Sequence, residues 1–151
     1  MSKPRFYAVG DTHLKEHIWK GRLGIVNDTL LSYTQIINYC CLKDNVPLVL
    51  MGDVLDSPRP TSKIVDFLLD CTKAMKDRGL PVYWIDGNHD RAIPSWGDVI
   101  GATRLTDHPA LINEVSVSGI DNRSSTELES ALSKVHSDTD VLVCHQLLEL
   151  A

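Results

Sequence analysis

Four short groups of polar residues in this sequence have side chains that commonly bind metal ions or transfer protons. They are Asp11-Thr12-His13, Gly52-Asp53 together with Asp56, Gly87-Asn88-His89-Asp90, and His145. Residues i and i+2 of an extended chain point the same way, so Asp11 and His13 can bind one ion together. The carboxylate of Asp53 can bridge two ions, while Asn88 offers an amide oxygen and His145 an imidazole nitrogen.

This set of ligands predicts both a class of metal and a reaction. Mixed oxygen and nitrogen ligands without thiolate favour manganese, iron or zinc. Two divalent ions about 3.5–4 Å apart are the usual arrangement for attack of water on phosphorus, because they activate the water and neutralise the phosphate oxygens. We therefore expect two divalent ions, manganese first, with iron, zinc or magnesium as alternatives. Each group alone is common in turns, and a lone His145 would more often be structural, so the prediction requires all four groups to meet.

The secondary structure predicted from hydrophobic periodicity brings these groups to one place. Strands are predicted over residues 5–10, 46–51, 81–85, 113–120 and 141–144, and helices over residues 22–42, 61–76 and 125–135. Strands that alternate with helices indicate an α/β fold with a largely parallel sheet. Each polar group directly follows a strand, and ligands of such sheets bind beyond the carboxyl ends of the strands. Residues 91–109 are predicted to form an irregular loop.

Length and composition favour one soluble domain over residues 1–151. The chain has 151 residues, of which 43% are hydrophobic and 23% charged, values typical of globular proteins and not of disordered or coiled-coil chains. Its apolar runs, such as residues 46–51, are much shorter than the roughly 20 residues of a membrane helix. The first residues lack the apolar stretch of a signal peptide. We therefore expect a cytoplasmic protein without membrane contact.

The charge balance and the cysteines exclude some classes of site. Fifteen basic and 20 acidic residues give a net charge of −5, which disfavours a simple electrostatic nucleic-acid binder and suits a protein that gathers carboxylates around metal ions. The four cysteines, Cys40, Cys41, Cys71 and Cys144, have no CxxC spacing. We expect free, partly buried thiols in a reducing compartment. Neither a Gly-x-Ser-x-Gly motif nor a phosphate-binding Walker loop is present.

Taken together, the motifs resemble those of the calcineurin-like metallophosphoesterase superfamily. The resemblance extends from residue 5 to residue 145 and implies a four-layer α/β/β/α sandwich with a dinuclear metal site. It implies five metal ligands: Asp11 and His13 for the first ion, Asp53 as the bridge, and Asn88 and His145 for the second ion. It also implies that His89 is the catalytic histidine, which stabilises the transition state or protonates the leaving oxygen. Asp56 matches the carboxylate that orients this histidine.

Details of the motifs favour one branch of the superfamily. Ser/Thr protein phosphatases have Arg-Gly after Gly-Asp-x-x-Asp and Glu after Gly-Asn-His, where this chain has Ser57-Pro58 and Asp90. The segment 118–123, followed by a helix and by Val-Leu-Val-Cys-His145-Gln, is similar to the SbcD-like DNA repair nucleases. We therefore predict a metal-dependent phosphodiesterase or DNA nuclease. Four basic residues are candidates for a DNA-facing rim, or equally for ordinary solvated surface: Arg59, Lys63, Arg91 and Arg123.

One motif of the superfamily is missing. The pattern continues with Gly-His-x-His after the histidine that matches His145, and this sequence contains no such motif. We expect His17, His108 and His136 to be solvated and not to replace it. The resemblance thus implies a C-terminally incomplete domain that lacks its last strands and two ligands. The alternatives are a fragment, a chain completed by a homo-oligomer or partner chain at an exposed sheet edge, or a non-catalytic metal-binding or interaction module.

Overall fold

Two β-sheets form the centre of the structure, a computed structural model that describes residues 4–16, 28–106 and 108–146. The first sheet is parallel, with β1 (Tyr7–Val9), β2 (Leu48–Met51), β3 (Val82–Ile85) and β4 (Thr103–Arg104) in that order. The second contains β5 (Ala110–Ile112), β6 (Val115–Ile120) and β7 (Val141–Cys144). In this sheet β5 is antiparallel to β6, whereas β6 and β7 are parallel.

The helices of the described residues are α1 (Asp28–Asn38), α2 (Ser62–Lys76), α3 (Trp96–Val99) and α4 (Ser125–Leu132). A π-helical segment, Tyr39–Asp44, continues α1. Helix α2 buries Ile64, Leu68 and Met75 on one face, a spacing of three to four residues that gives an amphipathic helix. None of the helices in the described ranges is long and apolar enough to cross a membrane.

Alternating side chains of the central strands divide the core into two layers. In β2, Leu48 and Leu50 pack toward α1 and α2, whereas Val49 packs toward the second sheet. In β3, Trp84 packs toward the helices and Ile85 toward the second sheet. Because successive side chains of a strand point to opposite faces, a strand between two layers must be apolar throughout. This requirement explains the continuous apolar runs of β2 and β3.

The fourth layer lies on the far side of the second sheet. Val117 of β6 faces the first sheet, and a Cβ at Gly119 would contact Ile85 there. Ser118 and Ile120 point the opposite way and line a cavity together with residues of α4. The layers therefore follow the order helices, first sheet, second sheet, helix. The predicted α/β/β/α sandwich is confirmed.

The observed elements agree with the sequence prediction where an element is long enough to show a hydrophobic period. All five predicted strands are present, and the predicted helix over 61–76 matches α2. The predicted helix over 22–42 is seen from Asp28 onward, with residues 22–27 outside the described residues, and the helix predicted over 125–135 ends at Leu132. The prediction missed β4, β5 and α3, which have two to four residues each, too few to show a period.

The continuous apolar run over residues 141–144 predicts a buried strand, and this prediction is wrong. Only Val143 of β7 is buried, while Leu142 and Cys144 are exposed. The reason is the position of β7 at the edge of the second sheet, where one neighbour strand is described and the outer face is open. An apolar run alone cannot distinguish an edge strand from a central one.

Three of the four thiols lie where α1 and its π-helical continuation pack against α2. Cys40 and Cys41 are buried, and Cys71 of α2 is half-buried. Burial raises the pKa of the Cys40 thiol to about 11 and that of Cys71 to about 12, and it also raises the pKa of Cys41. These thiols are therefore protonated and unreactive at neutral pH. Cys144 is exposed.

We predict that Ellman's reagent at pH 7.5 modifies Cys144 rapidly in the native protein and the other three thiols only after unfolding in urea. The reason is that reaction requires an accessible thiolate. Burial restricts access to Cys40, Cys41 and Cys71, and their raised pKa values keep these thiols protonated. The Cys144→Ser variant should lose the fast phase and keep the slow one. Two or more fast thiols in the native wild-type protein would contradict the packing of α1 against α2.

Candidate metal centre

Main-chain hydrogen bonds place the segment after β1 alongside the segment after β2. The N–H of Asp11 donates to the carbonyl of Gly52 at 3.1 Å, and the N–H of His13 donates to that of Asp53 at 3.0 Å. Leu14, which is buried, continues the pairing as a single parallel bridge to Leu55. The pairing holds the Asp-x-His motif against Asp53, as its position after a neighbouring parallel strand predicts.

Three residues of this region other than glycine have left-handed backbone. Asp11 has a φ of 53°, His13 of 42° and Asp53 of 47°. Such conformations cost residues other than glycine about 1–3 kcal/mol each and cluster at functional sites, where the surrounding structure enforces them. Here the hydrogen bonds between the two segments enforce them. The strain thus marks the same residues that the motifs identify.

The carboxylate of Asp53 is the centre of the site. Its side chain is only 6% exposed, and three imidazoles turn their Nε2 atoms toward its Oδ2 atom. The distances from Oδ2 are 3.4 Å for His145, 3.8 Å for His13 and 3.9 Å for His89. The Nε2 atom of His13 is also 3.9 Å from Oδ1 of Asp11. The three histidines come from three different segments, so only the folded chain brings them together.

Two of these histidines have their tautomer fixed by the main chain. Nδ1 of His145 lies 3.0 Å from the carbonyl oxygen of Met51, and Nδ1 of His89 lies 3.0 Å from that of Asp56. Because a carbonyl can only accept, each Nδ1 must bear a proton. A neutral ring then has its lone pair on Nε2, the atom that faces Asp53. This is the arrangement usual for metal-binding histidines.

The donor set fits divalent metal ions. Separations of 3.8 and 3.9 Å are too long for hydrogen bonds, and that of 3.4 Å is beyond the usual hydrogen-bond range. Two ligand atoms that each lie about 2.0–2.2 Å from one ion are separated by roughly this amount. Two trios have ligand atoms within 4.8 Å of one another: Asp11, Asp53 and His145, and His13, Asp53 and His89. Asp53 belongs to both, which suits a bridging carboxylate.

The two trios divide the residues differently from the resemblance, because His89 is grouped with His13, and Asp11 with His145. Nε2 of His13 nevertheless lies 3.9 Å from Oδ1 of Asp11, a separation that also suits the expected sharing of one ion. The rings of His13 and His89 meet edge to face, with centroids 5.1 Å apart. His89 can therefore reach a metal as well as a substrate.

Asp56 does not contact His89 in the expected way. Its main-chain carbonyl accepts from the imidazole, whereas its carboxylate lies 2.8 Å from Nζ of Lys15 and 3.6 Å from Nδ1 of His13. Lys15 follows His13 by two residues on the adjacent segment, and its charge holds the carboxylate there. In this structure the main chain of Asp56, and not its carboxylate, contacts His89.

Asn88 lies between Gly87 and His89 and is exposed. Within the described ranges its side chain makes no hydrogen bond, so its amide oxygen is accessible to an ion or to solvent. Its assignment as a metal ligand stays a prediction. Asp56 adjoins the site through His13 and His89. The two trios contain the other five of the seven site residues named from the sequence: Asp11, His13, Asp53, His89 and His145.

Asp90 is a structural residue of the site that the sequence reasoning did not identify. It is fully buried and accepts main-chain hydrogen bonds from Leu55 at 2.8 Å and Gly87 at 2.9 Å, with a third from Val54 at 3.3 Å. Burial raises the pKa of Asp90, and the three hydrogen bonds oppose the rise. The residue joins the turn after β2 to the turn after β3. The sequence feature that could have predicted this role is an acidic residue directly after Asn-His, beside turns with unpaired N–H groups.

Two glycines allow the turns to approach each other. A Cβ at Gly87 would lie 2.1 Å from Oδ1 of Asp53, and a Cβ at Gly52 would lie 2.7 Å from the ring of His145. Gly52 also has a φ of 89°, which favours glycine. Any side chain at either position would displace a residue of the site. Both glycines are therefore part of the geometry around Asp53.

The basic residues and histidines that the sequence analysis named outside the metal centre are exposed where the structure describes them. Arg59, Lys63, Arg91 and Arg123 are exposed, as are His108 and His136, and His17 lies outside the described residues. Arg91 differs from the other basic residues because its Nη2 atom donates to the carbonyl and side-chain oxygens of Asn122, at 3.0 and 2.8 Å.

We predict that Gly87→Ala lowers Mn²⁺ affinity by roughly 10–100-fold, the range typical of disturbed ligand support. The added Cβ would overlap Asp53 and force it away from the three imidazoles. Gly10→Ala is the matched control, because its Cβ would meet only Met51 and Gly52 at ordinary contact distances of 3.5–3.7 Å. Isothermal titration calorimetry checks both variants, and equal affinities would contradict the close approach of Gly87 to Asp53.

Comparison with known proteins places the chain in a family. The family model described as calcineurin-like phosphoesterase matches residues 4–148. The chain is 26% identical to the DNA double-strand break repair protein Mre11 of Sulfolobus acidocaldarius, over 91% of this chain and 40% of that protein. It is also 26% identical to the protein of the same name from Sulfurisphaera tokodaii, over 99% and 42% respectively. The chain spans about two fifths of the length of these curated relatives. The match over residues 4–148 shows that the chain belongs to the calcineurin-like phosphoesterase family.

Proposed function

We propose that this protein hydrolyses phosphodiester bonds with water at the site around Asp53 and uses two divalent metal ions, manganese being favoured. The observation that supports the proposal most is the convergence of three Nε2 atoms on one buried carboxylate oxygen. Membership of a phosphoesterase family supports the class of reaction. Mixed oxygen and nitrogen donors without thiolate support manganese over softer metals.

Five residues would hold the ions: Asp11, His13, Asp53, Asn88 and His145. Bound divalent ions supply Lewis acidity, which lowers the pKa of water and neutralises charge on the phosphate. The chain itself fixes the direction of the donors. The carbonyl of Met51 orients His145, and the hydrogen bonds between the two segments hold Asp11 and His13.

His89 is the proposed catalytic histidine. Its side chain is 42% exposed, more than that of His13 or Asp53, so a substrate can reach it. The Asp56 carbonyl fixes the proton on Nδ1 and leaves Nε2 to exchange a proton with the substrate. A protonated Nε2 donates to the leaving oxygen, and general acid catalysis of this kind typically contributes about 10²–10⁴-fold to a rate.

DNA is the proposed substrate. The two Mre11 relatives are named as DNA double-strand break repair proteins, and the exposed Arg59, Lys63, Arg91 and Arg123 can contact phosphates. Arg91 is held beside the site, because Asn122 binds both Arg91 and the carbonyl of His145. A partner chain or a second copy could add to this surface at the edge strand β7.

We predict Mn²⁺-stimulated hydrolysis of bis(p-nitrophenyl) phosphate that is abolished by EDTA. Asp53→Asn should remove both turnover and tight metal binding, because it weakens the shared ligand. His89→Gln should lower kcat by about 10²–10⁴-fold while Mn²⁺ affinity stays within about twofold. Initial rates and calorimetry provide the two measurements, with the exposed Lys73→Gln as control.

The outcomes separate the alternatives. Full activity of Asp53→Asn would overturn the proposed site. A loss of Mn²⁺ affinity in His89→Gln would show that this residue is a ligand, as its grouping with His13 allows. Tight metal binding without turnover, in the presence of every tested phosphodiester, would favour the non-catalytic module.

We predict that cleavage of a DNA oligonucleotide depends more steeply on salt than hydrolysis of the small diester does. Each phosphate contact made by a basic side chain releases counterions, so log kcat/KM should fall linearly with log salt concentration. Arg59→Gln and Arg123→Gln should each reduce this slope. Equal slopes for the two substrates would argue against a DNA-facing rim.

A further inference from the structure

A second polar cluster lies where β3, β4 and β6 end, and we call its three residues, Arg104, Asp86 and Asp121, the Arg104 cluster. Nη2 of Arg104 is 3.1 Å from Oδ2 of Asp86 and 2.6 Å from Oδ2 of Asp121. All three side chains are largely buried, with exposures of 12%, 14% and 16% respectively. None of them belongs to the Asp53 site.

The cluster joins the chain after β3 to the chain after β6. The N–H of Asp86 donates to Oδ1 of Asp121 at 2.6 Å, and the N–H of Asn122 donates to the carbonyl of Asp86 at 2.7 Å. Oδ1 of Asp86 accepts further bonds from Trp84 at 2.7 Å and from Ser95 at 2.8 Å. Asp86 is therefore fixed in both main chain and side chain.

Each of the two joined segments supports part of the metal centre. Asp86 directly precedes the turn that bears Asn88 and His89, and the N–H of His89 donates to Oδ1 of Asp53 at 2.9 Å. On the other segment, Nδ2 of Asn122 donates to the carbonyl of His145 at 3.0 Å. The two segments thus reach Asp53 from the sides of His89 and His145.

A second bond fixes the chain beyond His145, since Nε2 of Gln146 donates to the carbonyl of Asp121 at 3.0 Å. His145 and Gln146 are therefore both hydrogen-bonded to the segment of Asp121 and Asn122. By contrast, His13 is held by bonds between the segments after β1 and β2, none of which involves the Arg104 cluster. Loss of the cluster should thus affect the side of His89 and His145 more than the side of His13.

Electrostatics makes Arg104 the necessary member of the cluster. Without its charge, two largely buried carboxylates would face each other and repel. These two contacts, and a longer one of 3.9 Å from Nη1 of Arg104 to Oδ2 of the more exposed Asp98, are not simply a gain in stability. Burying the charges of the cluster carries a desolvation cost that such contacts barely offset. Among the described residues, Nε of Arg104 also lacks a hydrogen-bond partner, which adds to that cost. What the planar guanidinium provides is a fixed geometry for both carboxylates.

We infer that Arg104 is a positioning residue of the metal centre, which acts through Asp86 and Asp121 to hold the Asn88–His89 turn and His145 against Asp53. The inference rests on the proposed function for its metal. It also concerns the metal-free protein, because the hydrogen bonds described above are formed by the chain alone.

The test compares Arg104→Met, Arg104→Lys and the double variant Arg104→Met/Asp121→Asn in the 151-residue chain. Arg104→Met should lower Mn²⁺ affinity by about 10–100-fold, the range for loss of a residue that supports ligands. Arg104→Lys retains the charge without the planar geometry, so it should recover part of the affinity. The double variant should recover affinity too, because an amide at position 121 removes the repulsion and can still accept from the N–H of Asp86. Calorimetry measures each value.

A second readout needs neither metal nor turnover. In ¹⁵N-histidine-labelled, metal-free protein, Arg104→Met should shift the imidazole resonances of His145 and His89 more than those of His13, which the cluster reaches only through the edge-to-face contact of its ring with His89. Single His→Gln variants provide the assignments. If the wild-type protein binds no Mn²⁺, the proposed function fails, but this spectrum still tests the positioning role.

A matched control separates positioning from stability. Ile64→Val in the core of α2 should lower Tm, as removal of a buried methyl group does, without changing Mn²⁺ affinity. Unchanged His145 and His89 resonances in Arg104→Met would overturn the inference whatever the affinity. A loss of affinity that Ile64→Val reproduces at the same drop in Tm would overturn it as well.

Discussion

The burial of one carboxylate, that of Asp53, is the constraint on which the rest of the site depends. A buried carboxylate is costly unless it is paired, and here its Oδ1 accepts from the N–H of His89 while its Oδ2 faces three imidazoles. This arrangement requires the turns after β2 and β3 to be in close contact, which Gly87 permits and Asp90 stabilises through its three main-chain hydrogen bonds. It also requires His145 to arrive from the second sheet. The packing of the two sheets against each other therefore also determines the geometry of the site at their edge.

Much of the fold could be predicted because its central elements have a simple physical cause. A strand between two apolar layers must be apolar on both faces, so β2 and β3 are visible as unbroken apolar runs, and α2 is visible as an amphipathic period. The polar groups that follow those runs locate the site, because parallel strands end at one edge. Elements of two to four residues, such as β4 and α3, are too short to show a hydrophobic period and are therefore not predicted. The same reasoning fails for β7, whose exposure depends on its neighbours and not on its own composition.

The side-chain roles were less predictable than the positions. The motif locates Asp56 correctly, but Lys15 draws its carboxylate away from His89, and a carbonyl takes its place. The motif also does not reveal Arg104, which lies in a stretch that the sequence presents as an irregular loop. Such contacts depend on which side chain lies within reach of a given atom, and this is determined by the packing of the particular chain. Residue types at fixed spacing therefore predict a site and its ligands better than they predict the residues that orient those ligands.

The acidity of the protein has a consequence for how a substrate binds. Six carboxylates lie at the ends of β1, β2, β3 and β6: Asp11, Asp53, Asp56, Asp86, Asp90 and Asp121. Ion pairs with Lys15 and Arg104 offset only part of this charge. A phosphodiester that approaches such an edge is repelled unless cations are bound there, and the two divalent ions of the proposed function would add four positive charges beside the phosphate. In that proposal, substrate binding is coupled to metal binding and not merely followed by metal-dependent chemistry. For this reason a net charge of −5, which disfavours an ordinary nucleic-acid-binding protein, is compatible with the proposed nuclease, whose positive charge would be supplied by its metals.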